Sequence, residues 1–346
     1  MVPEQDEKIR KNIAKLDRTL ADRKHLLILV HNNPDPDAIA SAAALGYLAE
    51  ARAGIQYSIA YGGIVGRAEN REMVRKMKLQ MKQVNRINFD IYDCIALVDT
   101  QPGSGNNSLP PGKKCDIIID HHLRWGKIKS DLVVIEPGLG VTATLLVEWI
   151  TASGLSFPAD LSTGLAYAAV SETQNLGRET TKRDIDAYLT VYANANIRAL
   201  SQIITPKLAH SHFVSLAKAL GSAYIYRNLI YAHIGEVAVP EVVAEMADFL
   251  LRHERIGWCL ASGRYRDRLI ISIRTSSAGG RANELVKSLV PDEKTVGGHE
   301  MIAGGYIALS NGNKQELMEL ETMLSRGFAR FLGYDRADWK PLLNKI

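Results

Sequence analysis

Cysteine is scarce in this 346-residue chain, with three residues, Cys94, Cys115 and Cys259. The odd count and wide spacing exclude a disulfide framework, and no C-x-x-C spacing offers a zinc site. Two of the three sit inside apolar runs, the setting of buried free thiols in a reducing compartment. No apolar run approaches the roughly 18 residues that a membrane span needs. The opening EQDEKIRKNIAKL lacks the apolar core of a secretory signal, so the expected location is cytoplasmic, with no membrane partner. Neither sign of charge dominates, since 42 Lys plus Arg against 38 Asp plus Glu leave +4. That excess admits anionic ligands but not the extended basic channel of a long-strand nuclease, and gives no reason to expect stable binding of duplex DNA. Internal repeats, low-complexity tracts and Gly/Ser linkers are also missing.

What is present, 46% hydrophobic and 23% charged residues, is the composition of a folded globular protein. At roughly 100–200 residues per domain the length suggests about two domains. Ile9, Ile13, Leu16 and Leu20 recur at helical spacing and predict a helix over 4–23. Leu26–Val30, Ile59–Tyr61, Ile95–Asp99 and Asp116–Asp120 read as buried parallel strands. Helical patterns at 38–54, 67–83, 140–153 and 160–170 alternate with them, which predicts an α/β fold: a parallel sheet with helices on both faces. Further helices run from about 182 to 221. Then Leu229–Gly235, Trp258–Tyr265 and Arg268–Thr275 read as strands, the last two antiparallel, among helical patterns at 240–253, 281–289 and 314–332. The expected organisation is a first domain over 1–200, a helical connector over 201–224, and a second, smaller α/β domain over 225–346.

Chemistry gathers at three predicted strand ends. The first carries His31-Asn-Asn-Pro-Asp35-Pro-Asp37, the second Asp99 and the third Asp120-His121-His122. Ligands of open parallel sheets bind at the carboxyl ends of the strands, so the three clusters should converge. That many desolvated carboxylates need cations. Carboxylate plus imidazole without thiolate favours Mn²⁺ or Mg²⁺ over zinc. Five or more ligands suit two ions sharing a bridging carboxylate, which activate a water for attack on a phosphoryl group.

Other features read as structural. His210 and His212 point apart on a helix. Arg75, Lys76, Lys78, Lys82 and Arg86 read as a solvated basic helix face, and Arg264, Arg266 and Arg268 as a hairpin turn with at most a minor role. GGIVG (62–66) is not a phosphate loop. Gly138 and Gly140 mark a turn, with Thr142 and Thr144 as helix caps.

On these residues the chain resembles the DHH phosphoesterases with a DHHA1 C-terminal domain, over roughly 8–335. HNNPDPDAIAS (31–41) is similar to the first motif, LVDT (97–100) to the second and DHH (120–122) to the third. The fourth motif usually carries Asp before Thr; AVSETQNLGRETT (169–181) places Glu172 there. VGGHEMIAGG (296–305) resembles the family's glycine-rich segment, with Val296 where another Gly often stands. The resemblance implies a DHH domain and a DHHA1 domain. It implies His31, Asp35 and Asp99 on one ion, and Asp37, Asp99, His121 and Glu172 on the other, Asp99 bridging. His122 would contact the phosphoryl group or orient the site, and Arg274, Gly297, Gly298 and His299 would hold substrate phosphate.

The expected function is a phosphoesterase with two divalent ions, Mn²⁺ foremost and Mg²⁺ second. Its substrates would be small nucleotides or short single-stranded oligonucleotides: nanoRNA, pAp, linear or cyclic dinucleotides. An exopolyphosphatase or pyrophosphatase is one alternative. A weakly catalytic nucleotide-binding regulatory protein, on account of Glu172, is another. A homodimer is compatible with the sequence, which carries no interface signature for one.

Overall fold

The computed structural model describes residues 3–177, 179–277, 279–298 and 300–343. The chain divides into two compact units, Met1–Pro206 and Lys207–Ile346.

The first unit runs α1 (Pro3–Leu20), β1 (His25–Leu29), α2 (Pro36–Ala53), β2 (Gln56–Tyr61), α3 (Ala68–Lys76), β3 (Met81–Gln83), β4 (Cys94–Val98), β5 (Ile117–Asp120), β6 (Leu132–Ile135), α4 (Ala143–Ala152), α5 (Ala159–Glu172), α6 (Lys182–Tyr192) and α7 (Ile197–Ile204). Its six strands form one all-parallel sheet in the order β3-β2-β1-β4-β5-β6. Chain order therefore runs outward from β1 in both directions. The crevice at that reversal, between the ends of β1 and β4, is where such sheets bind ligands.

Ile9, Ile13, Leu16 and Leu20 of α1 are buried, as their spacing predicts. Alternate residues of β1 serve opposite faces of the sheet. Leu26 and Ile28 join the core built by α1–α7, while Leu27 and Leu29 join a smaller cluster. That second face is covered by Val84, Ile87, Phe89, Leu109 and Ile128, from two single 3₁₀ turns and from loops, with no α-helix among them. Helices on both faces of this sheet were expected, and the structure corrects this. The basic helix expected over 67–83 is corrected too. It stops at Lys76, Lys78 turns left-handed at φ 55°, and Met81–Gln83 becomes an edge strand. The basic run is largely paired: Arg75 and Lys76 with Glu72, and Lys78 with Asp160.

The second unit runs α8 (His210–Gly221), β7 (Ala223–Tyr226), β8 (Leu229–Glu236), α9 (Glu241–Leu250), β9 (Trp258–Tyr265), β10 (Arg268–Thr275), α10 (Ala282–Leu289), β11 (Val296–Gly298), β12 (Ile302–Ala308), α11 (Lys314–Phe331) and β13 (Lys340–Pro341). The sheet order is β11-β12-β10-β9-β8-β7-β13. β9 and β10 pair antiparallel, as the sequence suggests, and β8 and β9 pair parallel. Residues from α8 and α9 form one apolar cluster and residues from α10 and α11 another. The stretch read as a connector, 201–224, is divided between the units. Leu200 and Ile203 of α7 lie in the first core, and Ala219 of α8 lies in the second. Among the described residues no helix is long and apolar enough to cross a membrane.

Candidate metal centre

The three acidic and imidazole clusters come together, because β1, β4 and β5 are neighbours in the sheet. His31 follows β1 by two residues. Asp35 caps α2, its Oδ1 accepting the Ala38 N–H at 2.9 Å, and Asp37 lies in the first turn. Pro36 suits that position, since a first-turn residue needs no N–H for the helix ladder. Asp99 ends β4 with a left-handed φ of 59°, a conformation that Asp tolerates better than most residues. Asp120 ends β5 and His121 and His122 follow.

Two groups of three present their ligand atoms within 4.8 Å of one another among the described residues: His31, Asp35, Asp99, and Asp99, His121, His122. Asp99 belongs to both. His31 Nε2 lies 3.3 Å from Asp35 Oδ2 and 3.6 Å from Asp99 Oδ2. His121 Nε2 lies 3.6 Å from Asp99 Oδ1 and 3.9 Å from Asp37 Oδ2. In both rings Nδ1 faces a backbone carbonyl, Asn32 O for His31 and Leu139 O for His121, each at 3.0 Å. A carbonyl can only accept, so Nδ1 carries a hydrogen and Nε2 is the nitrogen turned to the carboxylates, where a cation that displaces its proton would find a lone pair. This is the outer arrangement typical of metal-ligating histidines.

His122 is held differently. Its Nδ1 donates to Asp120 Oδ1 at 2.8 Å, its backbone N–H bonds the same oxygen, and the side chain is 58% exposed. Asp120 is also bonded by Gln101 Nε2 at 2.6 Å. Neither group of three includes Asp37 or Glu172. Asp37 reaches His121, and its oxygens accept the Thr142 and Ala143 N–H groups at 2.6 and 2.9 Å. Those N–H groups open α4, so the positive end of that helix faces the Asp37 carboxylate. Glu172 is the half-buried last residue of α5.

The electrostatics call for added positive charge. Burial, reinforced by Asp99, pushes Asp37 up to about 7. Burial and Asp35 push Asp99 up to about 6. Burial pulls His31 down, but Asp35 and Asp99 outweigh it and raise it to about 10. The bond to Asp120 raises His122 to about 9 against the opposing effect of burial. Asp35, also desolvated, is held below the usual carboxylate range chiefly by His31. Buried carboxylates that take up protons for want of counter-charge, beside imidazoles whose Nε2 faces them, fit divalent cations bound by oxygen and nitrogen.

Four supporting residues escaped the sequence reading. Thr142, expected as a helix cap, makes no side-chain cap bond and instead donates from Oγ1 to Asp99 Oδ1 at 2.7 Å. Thr144 donates to Asp184 Oδ1 at 2.6 Å rather than capping α4. Asp184, fully buried, also accepts the Gly140 N–H at 3.0 Å, and it forms a capping box with Thr181 at the start of α6. It thereby anchors the 139–144 segment that supplies Leu139 O, Thr142 and Ala143 to the centre. Gln101 clamps the loop after His122 through Asp120, Leu123 O and the Trp125 N–H. Only Asp184 left a signal, T-x-x-D, and that signal announces a helix start rather than a site. The glycines at 62–66 do have a local purpose. A Cβ on Gly62 would lie 1.9 Å from Asn32 Oδ1, so only glycine lets the HNN loop approach there.

In the second unit Arg274, Gly297 and Gly298 border one cavity of about 380 Å³. Arg274 is buried, its Nε on Asp248 Oδ1 at 2.5 Å and its Nη1 on Ser272 Oγ at 2.8 Å. His299 lies outside the described residues. Arg264 bonds Gly312 O and pairs with Glu236, and Arg268 covers the Tyr306 ring.

Residues 25–171 match the DHH family, N-terminal domain. An uncharacterised protein of Methanocaldococcus jannaschii is 35% identical over 305 residues, 87% of this chain and 62% of that protein, so the chain spans about three fifths of its relative's length. An exopolyphosphatase-related protein from Bacteroides fragilis shares the fold at a TM-score of 0.72, with 13% identity, covering 93% of this chain and 97% of the other. RecJ from Thermus thermophilus, solved with Mn²⁺, matches at a TM-score of 0.54 and 15% identity, covering 93% and 55%.

Proposed function

We propose, from the match of residues 25–171 to the DHH family N-terminal domain, that this chain is a metal-dependent phosphoesterase and hydrolyses phosphate esters of small nucleotides or short single strands. The observation that carries the reading is Asp99, shared by two groups of ligand atoms at the mouth of the sheet crevice.

In this reading His31, Asp35 and Asp99 hold one divalent ion. Asp99, Asp37 and His121 would hold the other, and the family resemblance adds Glu172, the last residue of α5, to that set. Bound divalent ions supply Lewis acidity, which lowers the pKa of water and neutralises phosphoryl charge. The chain's own residues do the rest. Thr142 and the start of α4 fix Asp99 and Asp37. His122, kept protonated at neutral pH by Asp120, offers its outward Nε2–H to a phosphoryl oxygen. The cavity beside Arg274, Gly297 and Gly298 is assigned to substrate binding, as is His299. Mn²⁺ is the favoured ion and Mg²⁺ the second choice, since the donors are oxygen and imidazole nitrogen. The near-neutral charge favours short substrates, and the buried free thiols support a reducing, cytoplasmic setting.

The test is product analysis on metal-stripped protein with Mn²⁺ restored, offered pAp, a linear dinucleotide, a cyclic dinucleotide and polyphosphate. Metal-dependent cleavage of a nucleotide is expected. Asp99→Asn should lower the rate by on the order of 10³-fold while the protein stays folded. Wild-type turnover by a folded, metal-loaded Asp99→Asn protein would sink the mechanism. Cleavage of polyphosphate alone would move the chain to the exopolyphosphatase class.

A further inference from the structure

The loop after the His-His pair reads Leu123-Arg-Trp-Gly-Lys-Ile-Lys129. Leu123 is 81% exposed and Trp125 is 58% exposed, large apolar surfaces directly beside a polar centre. Nothing above uses them. Arg124, Lys127 and Lys129 are exposed too, and no acidic residue occurs between His122 and Asp131. No ion pair engages these three cations among the described residues, whereas most of the basic run from Arg75 to Lys82 is paired.

The loop is fastened. Buried Gln101 accepts the Trp125 N–H at 2.6 Å and donates to Leu123 O at 3.1 Å and Asp120 at 2.6 Å. One side chain thus ties the Trp125 backbone to the carboxylate that orients His122. A Cβ on Gly103 would sit 3.9 Å from the Cδ1–Nε1 edge of the indole, so the turn after β4 passes beside that edge.

We propose that Trp125 is a stacking platform for a nucleobase of the substrate, with Arg124, Lys127 and Lys129 steering the adjoining phosphates. The inference rests on the phosphoesterase reading and narrows it to base-bearing, single-stranded substrates. Three unpaired cations around an exposed indole match a ligand that alternates anionic groups with flat rings. Polyphosphate would use the cations and leave the indole idle. Single-strand binders combine these two elements, and their stacking tolerates any base.

The experiment compares 5′-phosphorylated diadenylate with the same molecule carrying abasic sugars at both positions, under Mn²⁺. KM is measured for wild type, Trp125→Ala and Trp125→Phe. Wild type should favour the base-bearing molecule by about tenfold in KM. Trp125→Ala should reduce that preference to within about twofold, and Trp125→Phe should keep most of it. A preference that survives Trp125→Ala, or no preference in wild type, overturns the proposal. A binding measurement separates this idea from the enzyme reading. Diadenylate is titrated into metal-free protein while tryptophan fluorescence is followed, with Trp125→Phe as reference. Quenching that Trp125→Phe abolishes, together with no turnover of any of these substrates in the Mn²⁺ assay, keeps the platform and rejects the hydrolase. Turnover of polyphosphate without quenching by diadenylate rejects the platform and the nucleotide class together.

Discussion

Asp184 shows how a residue outside the centre can set its geometry. It takes the Gly140 N–H, the Thr144 hydroxyl and both donors of Thr181, so every strong acceptor direction is used. Asparagine would replace one acceptor by an NH₂ that meets another donor. The 139–144 segment would then lose its anchor, and with it the carbonyl that orients His121 and the donors on Asp37 and Asp99. Asp184→Asn should weaken Mn²⁺ binding by about 10- to 100-fold, the usual range for lost outer support. Isothermal titration checks this against Asp186→Asn, an exposed change on the same helix. Equal affinities in the two variants would make Asp184 a helix cap and nothing more.

Among elements, the centre exists because three strand ends and two helix starts deliver buried carboxylates to one place, and this makes stability depend on pH. Asp37 and Asp99 stand above their ordinary range, near 7 and 6. Acids raised on folding contribute stability that is complete below the ordinary carboxylate pKa and lost as pH rises through the folded values. The metal-free protein should therefore weaken between about pH 4 and 7 on account of this pair. Cation binding relieves that cost, so added Mn²⁺ should raise Tm by about 5 °C more at pH 8 than at pH 5.5. Thermal melts in chelator and in Mn²⁺ decide it, and equal gains at both pH values would reject the linkage. Much of this arrangement is legible in the sequence, because continuous apolar runs mark central strands and their ends carry the ligands. β3 is not legible, since its Met-Lys-Gln has no period and depends on the left-handed turn at Lys78. Gln101, Thr142 and Asp184 are not legible either. Each acts on a residue about 20 or more positions away, a relation that only the folded sheet creates.

At the scale of the whole molecule, the boundary between Pro206 and Lys207 separates two self-contained cores. All residues that gather at the metal centre lie before it. A fragment comprising residues 1–206 should fold alone and bind Mn²⁺ within about an order of magnitude of the full chain. Circular dichroism and titration test this, and an unfolded fragment would show that the first core depends on the second unit. The sequence places the second domain at 225, whereas the second compact unit begins at Lys207, because α8 reads as one more helix in a series. Helical periodicity shows that a helix has an apolar face but not which core receives it.

The backbone at Asp99 has a consequence for descent. A left-handed residue at a strand end admits Asp, Asn or Gly far more readily than any branched or bulky side chain. The replacements that fit this backbone, Asn and Gly, are therefore the very ones that remove the carboxylate shared by the two ligand groups. On the proposed reading, a lineage drifting at this codon has an open route from catalyst to intact, ion-poor binder, and few routes to a changed catalyst. Descendants that lost turnover would still look well folded.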